Sequence, residues 1–148
     1  MESCVHSFAY MDKMIKAESD RINRNTIDIA QRVCYIKYNE LWKENFSSFN
    51  EYVKKELKLK KSTLSGYTQV VYKFCVNDDN SSTGYCVKSL FSDYTYSQLR
   101  EMTILTEEEI SQLKIDSSMS EKDIRKRVKE YTKVLHDLAD LAKPLYTL

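Results

Sequence analysis

Glycine and proline are almost absent from this 148-residue chain, and their scarcity constrains the fold more than any other feature. Glycine occurs only at Gly66 and Gly84, and proline only at Pro144. Hairpin turns and sheet corners depend on these residues for their backbone conformations, whereas helix interiors are weakened by them. The sequence therefore predicts an all-α fold, and the length fits a single domain with a substantial core.

A helix-turn-helix unit is predicted between residues 49 and 74. Ser48 is the candidate N-cap of a first amphipathic helix, and Glu51 stands where it completes a capping box. A basic turn follows, and Ser62 is the candidate N-cap of the second helix. Apolar side chains recur at three- and four-residue intervals in both helices, which predicts one buried face for each. These side chains are Phe49, Tyr52, Val53, Leu57, Leu64, Tyr67, Val70, Val71 and Phe74.

The rest of the chain is divided around this unit. Residues 1–20 are predicted to be a flexible N-terminal segment, and residues 21–76 a helical domain that contains the helix-turn-helix. The polar run 77–84 is predicted to be a loop, because it lacks apolar periodicity. Residues 85–148 are interpreted as an acidic half of accessory helices. This half ends in a long helix over 121–142.

Charge is distributed unevenly, although the formal net charge is only +1. Six lysines and one glutamate lie between Lys54 and Lys73, whereas nine acidic and three basic residues lie between Asp78 and Glu121. The helix-turn-helix is therefore basic and the following segment acidic. A solvated face is the ordinary interpretation of an acidic run. The alternative is a surface for a basic protein partner at Glu107, Glu108 and Glu109.

The basic turn and the second helix carry the residue types that DNA recognition requires. Cations bind phosphates, while small and amide side chains at the start of a recognition helix reach base edges. Phosphate contacts are predicted for Lys58, Lys60, Lys61 and Lys73, and base contacts for Ser62, Thr63, Ser65 and Gln69. Gly66 is unfavourable inside a helix and indicates close approach of DNA or of another helix. The alternative interpretation is an ordinary helical hairpin with a solvated lysine face.

The same residues resemble a known family. The resemblance rests on Phe49-x-x-Tyr52-Val53, Leu57-x-Leu59-x-x-Ser62-Thr63, Tyr67-x-x-Val70-x-x-x-Phe74, Tyr96-Ser97-x-Leu99-x-Glu101-Met102 and Met119-Ser120-x-x-Asp123-Ile124-Arg125. This pattern is similar to that of small phage, plasmid and conjugative-element proteins of Firmicutes. Their helix-turn-helix is related to the central DNA-binding domain of ParB-like partition proteins.

The resemblance covers about Ile29 to Lys129 and implies a DNA-binding protein of a mobile element, acting as a regulator or as a replication or maintenance accessory. The family often has glycine in the turn where this chain has Lys58. The chain also lacks a ParB-type nucleotide-binding segment, so the resemblance does not imply partition activity. Duplex DNA is the partner that it implies.

Two other partners are compatible with the sequence. In the C-terminal helix, apolar residues alternate at four and three positions from Ile124 to Ala142, until Pro144. This spacing suits either closure of the monomer core or the seam of a homodimer. Mobile elements also encode small helical inhibitors of host nucleases, including anti-CRISPR proteins. A host defence protein is therefore the alternative to DNA as the target.

Other classes of function are disfavoured. We find no nucleophile–base pair, phosphate-binding glycine loop or metal-ligand cluster, and therefore expect neither enzyme activity nor a cofactor nor a metal. The four cysteines are scattered, without a Cys-x-x-Cys pair, and are expected to be reduced thiols. No segment approaches the length of a membrane span and no secretory leader is visible. We therefore predict no membrane association and a location in the bacterial cytoplasm.

Overall fold

The computed structural model of the chain describes residues 6–19 and 26–146, most of which are helical. The helices are α1 (Phe8–Ser19), α2 (Thr26–Tyr38), α3 (Phe49–Tyr52), α4 (Lys61–Phe74), α5 (Tyr96–Glu101), α6 (Glu107–Gln112) and α7 (Glu121–Tyr146). A π-helical turn over Val53–Leu57 extends α3, and 3₁₀ turns cover Leu41–Glu44 and Ser89–Phe91. The predicted helical character is confirmed. The chain divides into two compact units, Met1–Tyr96 and Ser97–Leu148.

Helix α2 lies at the centre of the first unit, where α1 and α4 both pack against it. Its Ile29, Val33 and Ile36 follow one another at four and three positions, so they share one face, and all three are buried. The predicted buried faces of α3 and α4 also reach this core. The residues that belong to it are Phe49, Tyr52, Val53, Tyr67 and Val71, and the half-buried Leu57 and Leu64 pack against it. Val70 and Phe74 are also buried, but outside this cluster.

The N-terminal segment differs from its prediction, because α1 occupies most of residues 1–20. Met11 and Ile15 are buried, and Asp12 accepts a hydrogen bond from the Tyr52 hydroxyl at 2.8 Å. Lys16 Nζ lies 2.9 Å from a Glu56 carboxylate oxygen. These contacts join α1 to the α3 segment, which lies far along the chain. The prediction of a flexible segment is wrong for residues 8–19; residues 1–5 and 20 lie outside the described residues.

A β-hairpin departs from the predicted all-α fold. Strands β1 (Cys75–Asn77) and β2 (Tyr85–Val87) pair antiparallel, with Cys75 opposite Val87. The predicted loop 77–84 forms their connection except for Asn77, which belongs to β1. Gly84 supplies the positive φ of +82° that ends the connection. The Thr83 hydroxyl donates to Gln31 Oε1 at 2.8 Å, which ties this connection to α2. The hairpin lies within the first unit, since the division between the units follows Tyr96.

The second unit contains α6 and α7, together with nearly all of α5. Thr106 and Glu109 form the predicted capping box of α6, and the Ser120 hydroxyl accepts from the Asp123 N–H at 3.1 Å as the cap of α7. Ile124 and Val128 of α7 are buried. The helix continues through Pro144 to Tyr146, so the predicted end before the proline is wrong. Pro144 has no N–H to donate to the Asp140 carbonyl, but this removes only one hydrogen bond of the last turn and leaves those of the following residues possible.

None of the described helices combines the length and the apolar character that a bilayer span requires.

Candidate nucleic-acid interface

The turn between α3 and α4 is set by the backbone of Lys58. Lys58 ends the π-helical turn with φ 53° and ψ 38°, in the left-handed region, and its N–H donates to the Val53 carbonyl at 2.7 Å. Glycine adopts that conformation without steric cost, and it is the residue expected at this place from the resemblance described above. Here lysine adopts the left-handed conformation instead.

Lys58→Gly is expected to raise the free energy of unfolding by about 0.5–1 kcal/mol. The left-handed conformation costs a side-chain-bearing residue about 1–2 kcal/mol, and the greater freedom of glycine in the unfolded chain offsets part of that gain. Urea denaturation measures the difference. Lys58→Ala is the matched control, since it removes the same charge but retains a Cβ. Equal stability of the two variants would contradict the strained turn.

Three lysines of this turn, Lys58, Lys60 and Lys61, are exposed and have no ion pair among the described residues. The neighbouring acids are already engaged. Glu56 is the one acid between Lys54 and Lys73 in the sequence, and its carboxylate pairs with Lys16 at 2.9 Å. Glu51 pairs with Lys55 at 3.2 Å. The turn therefore presents an uncompensated cationic surface, defined here as the lysine turn (Lys58, Lys60 and Lys61).

Helix α4 begins at the lysine turn without a side-chain cap. Its N-cap residue is Lys60, which makes no side-chain capping hydrogen bond. The prediction of Ser62 as the N-cap is therefore wrong, because Ser62 already lies within the first turn. By contrast, the starts of α3, α6 and α7 are capped by hydroxyls of Ser48, Thr106 and Ser120. Uncapped amides at a helix start favour an anion, and the adjacent cations favour the same ligand.

The outer face of α4 carries most of the predicted base-contacting residues. Ser62, Ser65 and Gln69 are exposed and follow one another at three and four positions, which places them on one face. The Gln69 amide donates to Ser65 Oγ at 3.3 Å. Thr63 and Lys73 are only half-exposed, and so lie towards the edge of this face.

Gly66 is buried and does not belong to the outer face. Tyr67 and Val70, one and four residues further on, are also buried, so Gly66 lies at the margin of the packed side of α4. Of the two approaches that the sequence allowed, DNA or another helix, burial of Gly66 favours packing within the protein. Its contact with DNA remains a prediction.

Tyr72 continues the outer face and was absent from the predicted site. Its side chain is 86% exposed and stands seven residues, or about two helical turns, after Ser65. Tyr72 also borders a groove of ≈ 530 Å³, together with Tyr38 and Val76. Tyr38 is 53% exposed. The helical register of Tyr72 relative to Ser65 was the sequence signal that would have placed it on this face.

The acidic residues that were predicted as a partner surface lie in the first turn of α6. Glu109 accepts the Thr106 N–H at 2.9 Å and also the Tyr131 hydroxyl. Negative charge in the first turn stabilises a helix, so this position gives Glu107, Glu108 and Glu109 a role in the fold. Glu107 and Glu108 are exposed, while Glu109 is half-buried.

The described residues contain no group of three or more histidine, cysteine or acidic side chains able to hold a metal ion. Cys34 and Cys75 are buried, and burial raises the pKa of the Cys34 thiol to about 12. Such a thiol is protonated and unreactive near neutral pH.

No protein-family model, curated protein or solved structure matches this chain. The similarity to helix-turn-helix proteins of mobile elements therefore rests on the quoted motifs alone.

Proposed function

We propose that this protein binds duplex DNA, with the lysine turn on the phosphate backbone and the start of α4 directed into the major groove. The observation that carries the proposal is the lysine turn itself. It combines exposed cations that have no ion pair among the described residues with the uncapped start of a fourteen-residue helix. Lysine side chains and free amides are both phosphate ligands, and here they lie together.

The outer face of α4 supplies the groups that would read bases. Ser62 and Ser65 offer hydroxyls to base edges, and Gln69 offers an amide that is able to pair with adenine. Because Gln69 donates to Ser65, a contact with adenine would replace this intrahelical hydrogen bond. Such a DNA-binding protein would serve a mobile element as a regulator or as a replication or maintenance accessory, as the family resemblance implies.

Exchanging two lysines for acids, Lys60→Glu with Lys61→Glu, is expected to weaken binding to duplex DNA at least tenfold. A plot of the logarithm of the binding constant against the logarithm of the salt concentration should also become less steep, by about 0.9 in slope for each phosphate contact that is lost. The measurement is a salt titration of binding to a random-sequence duplex, with the wild-type protein alongside the variant. Both substituted side chains are exposed, so the variant should keep its fold, which circular dichroism checks.

A control variant, Lys122→Glu with Lys126→Glu, changes the net charge equally on the exposed surface of α7. We expect its salt slope to match that of the wild type. Equal weakening by the two double variants would show that net charge, and not the lysine turn, governs binding. Undetectable binding of the wild type at low salt would refute the proposal. The alternative, an inhibitor of a host defence nuclease, would then be tested by capture of a partner from host lysate.

A further inference from the structure

The distal half of α7 carries an apolar stripe that no described part of the chain covers. Val134, Leu135, Leu138 and Leu141 are 55%, 46%, 57% and 75% exposed. Val134, Leu138 and Leu141 follow one another at four and three positions, and Leu135 lies three positions before Leu138. The four side chains therefore form one continuous face, defined here as the α7 stripe. Contiguous exposed apolar surface of this kind marks an interaction site more often than isolated exposed leucines do.

The proximal half of the same helix is firmly held within the second unit. Ile124 and Val128 are buried, and the Tyr131 hydroxyl donates to Glu109. Arg127 Nη1 donates to the Leu113 carbonyl at 2.6 Å. The distal half is therefore the continuation of an anchored helix. The distal half extends an existing helix, so it needs no new helix nucleation. A partner that binds it therefore does not bear the free-energy cost of that nucleation.

The spacing of the apolar residues indicates what kind of partner fits. Val128, Tyr131, Leu135 and Leu138 alternate at three and four positions, which is the heptad spacing of paired helices. Val128 is buried, and the stripe continues the same row towards the C-terminal end of α7, where Leu135 and Leu138 are exposed. A helix with the same spacing is therefore the natural partner, and a second copy of α7 provides one.

Charges beside the stripe favour a second copy in parallel orientation. Glu130 and Asp137 lie along one edge of the stripe, and the uncharged Thr132 and Ala139 lie along the other. In a parallel pair, the acidic edge of each helix faces the uncharged edge of its partner. In an antiparallel pair, the acidic edges would face one another and repel. The acidic edge also disfavours an anionic membrane surface as the occupant.

We propose that the α7 stripe pairs with the same stripe of a second copy of this chain, as a parallel two-helix seam. The distal half, residues 131–146, is about 24 Å long, which gives a small interface. Interfaces at the small end of the range form exchanging complexes, so the dimer is in equilibrium with the monomer at micromolar concentrations. This inference does not depend on DNA binding.

The first test is sedimentation equilibrium of the full chain from submicromolar to several hundred micromolar concentration. The average mass of the wild type should rise from that of a monomer towards that of a dimer. Leu135→Lys with Leu138→Lys should raise the dissociation constant at least 100-fold, or about tenfold per residue. Both residues are about half-exposed, so the variant should remain folded, and its helix content should be unchanged.

The matched control is Leu90→Lys with Ile104→Lys, which replaces two exposed apolar residues away from the stripe. This control should dimerise like the wild type. A wild-type protein that stays monomeric throughout would overturn the proposal, as would equal loss of dimer in both double variants.

Disulfide formation tests the orientation. Leu138→Cys, in a Cys4→Ser and Cys86→Ser background, should cross-link to itself in the dimer, because equivalent core positions face one another in a parallel pair. Leu90→Cys in the same background should not cross-link above the rate of random collision. Dimerisation without a cross-link at position 138 would overturn the parallel seam.

Discussion

Replacing Phe74 by alanine is expected to lower the free energy of unfolding by about 3–5 kcal/mol. Phe74 is fully buried at the end of α4, and its ring packs edge-on against Phe91 with centroids 4.7 Å apart. The truncation leaves a cavity between α4 and the 3₁₀ turn at Ser89–Phe91. The backbone of Phe74 is also constrained, because its carbonyl accepts a hydrogen bond from the Lys88 N–H at 2.8 Å. Urea denaturation measures the loss.

Tyr72→Ala is the matched control for this variant. It removes an aromatic ring of similar size from the same helix, two residues away, but that ring is 86% exposed. Surface substitutions usually change stability by no more than about 0.5 kcal/mol. A comparable loss in both variants would contradict the orientation of α4, which the lysine turn and the outer face both depend on.

The helices with strong local signals could be predicted from the sequence. Ser48 caps α3, and Thr106 with Glu109 caps α6, because capping depends on residues only three positions apart. The buried faces of α3 and α4 follow from spacing alone. For these elements, local chemistry and tertiary packing favour the same structure.

The elements that prediction missed depend on contacts between distant residues. Helix α1 has a readable apolar spacing at Phe8, Met11 and Ile15, but its position depends on Asp12 and Lys16, which contact residues 40 positions away. The hairpin strands are three residues each, too short to give an alternating pattern. The hydrogen bond between Thr83 and Gln31 spans 52 positions. No local pattern reveals such partners.

The residue types of the candidate site could be predicted from the sequence, but its electrostatics could not. The number of lysines is plain in the sequence, whereas their exposure and pairing depend on the fold. Glu56 lies among these lysines in the chain, yet it pairs with Lys16 of α1. This long-range ion pair offsets part of the negative charge near the lysine turn, since Lys16 also pairs with Asp12 at 3.0 Å. Burial also depends on the fold. Glycine is a residue type that allows close approach of DNA, yet Gly66 is buried in the structure.

Gly84→Ala is expected to lower the free energy of unfolding by about 2–5 kcal/mol, from backbone strain and overpacking together. Gly84 has a φ of +82°, which side-chain-bearing residues rarely adopt. A Cβ at this position would also lie 2.2 Å from Cδ2 of Tyr35, well inside van der Waals contact. Tyr35 packs edge-on against Tyr85, with centroids 6.3 Å apart, so moving its ring to make room would disturb this contact.

A double-mutant cycle separates these two causes. In a Tyr35→Ala background the ring is absent, so Gly84→Ala should cost only the strain of about 1–2 kcal/mol. Asn80→Ala is the control in the same connection, since its exposed side chain should contribute little. Equal costs of Gly84→Ala in the two backgrounds would show that Tyr35 does not restrict this position.

Because β1 directly follows α4, a hairpin weakened by Gly84→Ala should also loosen the end of α4, which bears Tyr72 and borders the groove. Hydrogen exchange of the α4 amides should then increase towards Phe74 and remain near the wild-type rate at the lysine turn.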